Sequence, residues 1–180
     1  PWLSTIDLQS GYYQVPVEEE AKALTAFQFG DRLLQFLCMP FGLRTAPAVF
    51  QRIMSRTLHD LRPHVLVYLD DILIWTDTKE EHLFRLRKVF ERLHAVGLQI
   101  NMEKSKFMRK SIVYLGREIR EGVVLPDQGL LHAIQAIQTP RDVTEVRSLL
   151  GLTGFFREII PNYAERVLPL VELTRKGVPF

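Results

Sequence analysis

Residues 68–71 read Tyr68-Leu69-Asp70-Asp71. An apolar run from His64 to Leu69 precedes the acidic pair, and a second, Ile72 to Trp75, follows it. Both are rich in β-branched and aromatic residues and too short for independent helices, so the spacing predicts two strands joined by a tight turn. Asp70 and Asp71 then crowd one small volume at the connection of a hairpin. Like charges that close are costly unless something positive sits between them, and a divalent cation is the usual answer. The plainer reading is a solvated turn, since Asp bonds its own backbone and tolerates unusual dihedrals. Asp7 tips the comparison. Ser4-Thr5-Ile6-Asp7 reads as a third short strand with a carboxylate at its end. Three carboxylates at strand ends suit a two-cation site for phosphoryl transfer.

The rest of the chain mixes strands and helices without a regular βαβ alternation, which predicts an α+β fold. Leu24–Phe29 and Arg32–Cys38 read as a hairpin around Gly30-Asp31. Thr45–Leu61 reads as a helix with Pro47 in its first turn. Lys79–Val96 is an amphipathic helix whose expected buried face carries Leu83, Leu86, Phe90 and Leu93, stopped by Gly97. Further helices are expected over Asp127–Gln138, from the capping-box pattern Asp142-x-x-Glu145 as far as Pro161, and over Asn162–Lys176.

Composition bounds the function without naming it. The 180 residues amount to one domain or slightly more, and a hydrophobic content of 47% supports a core. No apolar run reaches membrane-spanning length and no secretory signal is visible, so no membrane partner is expected. Cys38 is the single cysteine, which excludes an internal disulfide and fits a reducing compartment. Net charge is +2, from 23 Lys and Arg against 21 Asp and Glu, too balanced to argue nucleic-acid binding by itself. The distribution says more: Lys104, Lys106, Arg109, Lys110, Arg117 and Arg120 form a basic stretch opposed within it only by Glu118. Such a stripe suits phosphate-backbone contact, and equally a solvated surface.

Five blocks in order make the chain recognisable: Leu3 to Gln14, Met39 to Gln51, Tyr68 to Asp71, Gly97 to Lys104, and Tyr114-Leu115-Gly116. Over essentially its whole length the sequence resembles the reverse transcriptase of gypsy-type LTR retrotransposons. The resemblance implies a polymerase right hand: residues 1–119 as palm with partial fingers (about 15–46), and 120–180 as a helical thumb with the start of a connector to RNase H. The family's earlier finger strands are expected to lie before Pro1, which makes this a fragment of a longer polyprotein.

The implied reaction is addition of a deoxynucleotide to a primer 3′-hydroxyl with two Mg²⁺ ions, Mn²⁺ being an alternative. By resemblance the catalytic residues are Asp7, Asp70, Asp71 and Lys104, with the three carboxylates holding the metal. Lys104 would act on the leaving pyrophosphate, and neighbouring Lys106 is a second candidate for that role. Leu8, Ser10, Gly11, Tyr12, Phe41 and Gly42 would bind the nucleotide, with Tyr12 excluding a 2′-hydroxyl. Tyr12 as an ordinary core tyrosine and Phe41 as plain core are the competing readings. Tyr68, Leu115, Gly116, Arg117, Arg147, Gly151 and Phe155 would meet primer and template. Arg117 departs from the His usual in the family. Arg147, Gly151 and Phe155 share a helix face that would track a duplex minor groove. A glycine there costs up to about 1 kcal/mol relative to alanine, and tight helix packing explains it equally well. Implied partners are an RNA or DNA template with a DNA or RNA primer, dNTPs, and an RNase H domain of the parent polyprotein. The implied setting is cytoplasmic, within a virus-like particle. A non-catalytic or domesticated nucleic-acid-binding relic is the alternative. A cyclase with a similar palm would want Gly-Gly where Tyr68-Leu69 stands.

Overall fold

The computed structural model describes residues 1–126 and 128–180. In chain order its elements are β1 (Trp2–Leu8), a short helix α1 (Glu19–Lys22), β2 (Phe27–Phe29), β3 (Arg32–Leu34), α2 (Ala46–Thr57), β4 (Val65–Tyr68), β5 (Asp71–Thr76), α3 (Lys79–Ala95), β6 (Ile100–Arg109), β7 (Ser111–Tyr114), β8 (Arg117–Arg120), β9 (Val123–Pro126), α4 (Gln128–Gln135), α5 (Val143–Gly154) and α6 (Tyr163–Leu173). The mixture is α+β, as expected. By its internal contacts the chain divides into two units: residues 1–114 with 119–123, and residues 115–118 with 124–180.

The first unit is built on an antiparallel sheet in the order β4-β5-β1-β6. Side chains alternate across a strand. Ile6 and Leu8 of β1, Val65 of β4, and Ile72 and Ile74 of β5 therefore share a core with Phe50 and Met54 of α2 and Leu86, Val89 and Leu93 of α3. A smaller cluster gathers Leu3, Leu73 and Ile112, with Trp75, Tyr114 and Ile119 packed against it. The first cluster alone holds 15 buried residues, which is what an isolated hairpin could not supply.

Helix α3 carries the largest departure from the sequence reading. Its start agrees: the Thr78 side chain accepts from the Glu81 N–H at 3.2 Å. Its end agrees too, for Gly97 sits at φ +75° and the Leu98 N–H reaches back to the Leu93 carbonyl at 2.9 Å, a glycine-closed Schellman turn. The buried face, however, is His82, Leu86, Val89 and Leu93, while Leu83 is 51% exposed and Phe90 37%. The stripe is rotated because a histidine takes a core position. Thr76 Oγ1 donates to the Thr78 carbonyl, so it is left to accept from His82 Nδ1–H at 3.0 Å. His82 Nε2 then accepts from the Ser4 hydroxyl at 2.7 Å, and Ser4 Oγ accepts the Met108 N–H at 3.0 Å. Every polar group of the set is satisfied with a neutral imidazole, and burial pushes the His82 pKa down.

Other boundaries move inward. The β2–β3 hairpin is confined to Phe27–Phe29 and Arg32–Leu34, whose residues are all exposed. Short exposed strands have little burial to extend them. The α2 helix stops at Thr57, and His59–Leu61 form a separate 3-10 turn.

In the second unit, α5 and α6 pack through Tyr163, whose hydroxyl meets Thr153 Oγ1 at 3.0 Å and donates to the Leu150 carbonyl at 3.3 Å. Among the described residues, Val146 and Phe156 are its buried apolar side chains. Asp142 caps α5 by accepting from the Glu145 N–H at 2.8 Å, and Glu145 reaches back to the Arg141 N–H at 2.7 Å. The reciprocal bond of the expected capping box thus lands one residue earlier. The helix ends at Gly154 rather than at Pro161, and turns fill the interval. α4 covers Gln128–Gln135, within the expected 127–138; Asp127 lies outside the described residues.

Candidate active site

The alternation that buries Ile6 also decides where Asp7 goes. In the β1–β5 register, Ile6 pairs with Ile72 and Asp7 with Asp71. Cross-strand partners share a face, so the fit of two isoleucines into the core sends two carboxylates to the opposite side. Tyr68 pairs with Asp71 across a two-residue loop, Leu69-Asp70. Asp71 is therefore the first residue of β5 rather than a loop residue, and Asp70 alone occupies the tip with Leu69.

Gly11 brings a second segment against this corner. It is buried, and a Cβ added there would stand 2.9 Å from Phe50 Cζ and 3.3 Å from Asp70 Cβ. Only glycine permits so close an approach. Gln14 fixes the segment at its far end: its amide nitrogen donates to the carbonyls of Gln9 and Gln99, and its amide oxygen accepts the Gln99 N–H at 2.6 Å.

Lys104 arrives by an irregularity in β6. Thr5 pairs with Lys106 but Asp7 with Asn101, so β6 bulges between them. Asn101 Oδ1 accepts the N–H groups of Glu103 and Lys104 at 3.1 and 3.2 Å and so holds the bulge. Ser105 Oγ donates to the Asn101 carbonyl at 2.6 Å and accepts the Asp7 N–H at 3.2 Å, tying it to β1.

The result is one cleft of about 420 Å³ lined by Asp7, Leu8, Ser10, Gly11, Tyr12, Phe41, Asp70 and Lys104. Tyr12 is half-buried between Phe41 and Phe50, with ring centroids 5.2 and 5.3 Å away. Phe41 is 64% exposed and also meets Tyr13 edge-on at 5.3 Å, so it is a surface wall rather than plain core. Gly42 follows at φ +91°, exposed. Burial raises the Asp7 pKa, and Asp70 adds to the rise while Lys104 opposes it. Burial likewise raises Asp71, with Asp70 and Asp7 pushing in the same direction. The Tyr114 hydroxyl donates to the Asp71 carbonyl at 3.4 Å, and burial with the Asp71 charge pushes its pKa up to about 12.

Residues 1–119 match the reverse transcriptase (RNA-dependent DNA polymerase) family. The chain belongs to it. A Drosophila melanogaster relative, the retrovirus-related Pol polyprotein from transposon 297, is 38% identical over 97% of this chain. The enzymatic polyprotein of cauliflower mosaic virus (strain NY8153) is 31% identical over 98%. This reverse transcriptase chain spans only 17% and 26% of those two proteins. Among solved structures, a foamy viral protease-reverse transcriptase in complex with double-stranded DNA superposes with a TM-score of 0.91 at 33% identity, over 98% of this chain and 31% of that one. The foamy viral protease-reverse transcriptase in complex with an RNA/DNA hybrid gives 0.90 at 32% identity, over 99% and 24%.

The remaining reverse transcriptase positions named from sequence fall outside the cleft lining. Tyr68 is 54% exposed on the first unit. In the second unit, Leu115 (φ +49°) and Gly116 (φ +72°) form a turn. Arg117 beside it is 3.3 Å from Glu158, with its guanidinium 5.8 Å from the Phe155 ring centroid. Arg147, Gly151 and Phe155 are all exposed, as one face of α5 and its end requires, and Arg147 donates to the Thr174 carbonyl at 3.3 Å. The packing explanation for Gly151 is overturned: apart from its chain neighbours and the backbone of its own helix, no atom of the described residues lies within 4 Å of a Cβ built there. The basic stretch is partly engaged as well, since Arg117 has Glu158 and Lys110 sits 3.6 Å over the Trp2 ring.

Among the described residues no group of three or more His, Cys, Asp or Glu stands ready as a metal cage. The donor set nevertheless fits Mg²⁺, which is ordinarily held by one or two carboxylates, substrate phosphates and water rather than by an all-protein cage. The sign of the carboxylate shifts makes a prediction. A carboxyl whose pKa is raised on folding contributes stability below its unfolded pKa and loses it as pH rises through the folded value. Asp71→Asn should therefore raise the unfolding temperature in EDTA at pH 7, raise it less at pH 4, and lose its advantage over wild type when Mg²⁺ is added. Differential scanning fluorimetry across pH, with and without Mg²⁺, measures all three.

Proposed function

We infer that this chain is the core of an RNA-directed DNA polymerase that adds deoxynucleotides to a primer 3′-hydroxyl. The observation that carries the reading is the single cleft in which Asp7 and Asp70 face Lys104, with Asp7 in register with Asp71 and an aromatic wall alongside. Asp7, Asp70 and Asp71 would hold two Mg²⁺ ions, which lower the pKa of an attacking hydroxyl and neutralise a leaving pyrophosphate. Asp7 and Asp70 fix the reacting ends by offering their oxygens from the end of β1 and from the tip of the β4–β5 hairpin. Lys104 meets the developing charge on the leaving group or gives it a proton. Ser10 and Gly11 border the cleft and would offer backbone N–H groups to the triphosphate. Tyr12, held by Phe41 and Phe50, excludes a ribose 2′-hydroxyl. In this reading residues 1–119 are palm with partial fingers, 120–180 the thumb with the start of a connector to RNase H, and an RNA–DNA hybrid lies along the exposed face of Arg147, Gly151 and Phe155.

Titration of the chain with a labelled RNA–DNA hybrid at several salt concentrations, beside steady-state primer extension, tests this. Binding should weaken with salt and depend little on sequence, because phosphate contacts release counterions. Hybrid binding without extension, in this chain and in longer Pol segments alike, would favour the relic instead. Gly151→Ala isolates the thumb. With open space around the site it should stabilise the fold by about 0.5–1 kcal/mol in denaturant unfolding. It should also weaken hybrid binding, since the added methyl group occupies the approach surface. Unchanged hybrid affinity would remove Gly151 from the duplex face.

A further inference from the structure

Among the described residues, strand β4 lies at the edge of its sheet and pairs only with β5. Tyr68 and Asp71 form the last pair before the loop, and hydrogen-bonding direction alternates along a strand. The groups turned outward beside the loop are thus the Val67 carbonyl and the Leu69 N–H. One side chain meets both. Gln51 Oε1 accepts the Leu69 N–H at 2.7 Å, and Gln51 Nε2 donates to the Val67 carbonyl at 3.3 Å and to Ser55 Oγ at 3.0 Å. A primary amide has one acceptor and two donors, and here they stand where the peptide group of a further strand would. Leu69 has need of it. Its φ is +54°, a left-handed conformation that glycine adopts freely and leucine at a cost. Residues so strained persist where their surroundings over-determine them. Asp70 and Asp71 follow Leu69 directly.

We propose that Gln51 is a positioning residue: its side-chain amide holds Leu69 in the left-handed conformation and thereby sets where the Asp70 and Asp71 carboxylates stand. The catalytic part rests on the polymerase reading above. Gln51 is not one of the residues that line the cleft, and acts through the turn.

Gln51→Leu keeps the volume and removes both bonds. In single-nucleotide addition its kcat should fall about a hundredfold, the loss that a misplacement of about 1 Å can cause. KM for the dNTP should change little, and the Mg²⁺ concentration giving half the maximal rate should rise. Adding Leu69→Gly to Gln51→Leu removes the strain that the amide restrains, and should restore most of the rate. A kcat within about twofold of wild type, or a loss that Leu69→Gly does not relieve and that leaves the Mg²⁺ dependence unmoved, overturns the proposal. Thermal unfolding in EDTA reads the brace without turnover: Leu69→Gly should be more favourable in the Gln51→Leu background than in wild type. Additive effects overturn the brace. Non-additive unfolding of these variants, when the wild type adds no nucleotide alone or within a longer Pol segment, overturns the polymerase reading and the catalytic part with it.

Discussion

Asp70→Asn and Asp7→Asn should each lower primer extension by at least about a thousandfold, the effect of removing several kcal/mol of transition-state charge stabilisation. Both residues line the cleft, one from the tip of the β4–β5 hairpin and one from the end of β1. Asparagine preserves shape and hydrogen-bonding capacity but removes the charge that a divalent cation requires. The fold should survive, because neither side chain belongs to the apolar core. Burial raises the Asp71 pKa and the Asp70 and Asp7 charges add to the rise; Asp7→Asn removes one of those charges, so its metal-free form should be no less heat-stable than wild type. Extension is measured in Mg²⁺ with this chain and within a longer Pol polyprotein segment that contains it. Near-normal synthesis by either variant would remove that residue from the metal site.

Tyr12→Val should change sugar selectivity, with incorporation of ribonucleotides relative to deoxyribonucleotides rising by about 10- to 200-fold, the range that a single pocket contact controls. The ring is braced between Phe41 and Phe50 and borders the cleft. A side chain pinned on two sides cannot swing away from a 2′-hydroxyl, so its volume acts as a barrier. Valine removes most of that volume. Parallel single-turnover measurements with matched rNTP and dNTP give the ratio, and an unchanged ratio would leave Tyr12 as a packing residue alone.

The sequence made the strands and the carboxylates legible because they rest on local patterns: apolar runs either side of Tyr68–Asp71, and Ser4–Asp7 ahead of a turn. The cleft residues could be named because the blocks lie in recognisable order. What could not be read was anything set by a distant partner. The inward turn of His82 depends on Ser4 and Thr76, one of them 78 residues away. No periodicity announces that pairing, so Leu83 and Phe90 took its place in the expectation. The bulge that carries Lys104 is held by the Asn101 side chain, and nothing in the alternation of β6 foretells it. Gly11 has a reason beyond the expected approach to phosphate, namely Phe50 and Asp70 pressing against it. Gln14 and Gln51 were visible only as members of blocks. An amide that braces backbone across 85 or 18 residues leaves no local signal except its capacity for both donor and acceptor bonds.

Templated addition of a single nucleotide tests the central claim most directly. A DNA primer annealed to an RNA template is offered one dNTP at a time in Mg²⁺, with this chain and with the longer Pol segment, and with EDTA and Asp70→Asn as controls. The expected result is Mg²⁺-dependent addition of the complementary dNTP only, strongest in the longer segment and lost in both controls. Addition that ignores the template base, that persists in Asp70→Asn, or that is absent from every form while the hybrid still binds would contradict the assignment of this cleft to RNA-directed DNA synthesis.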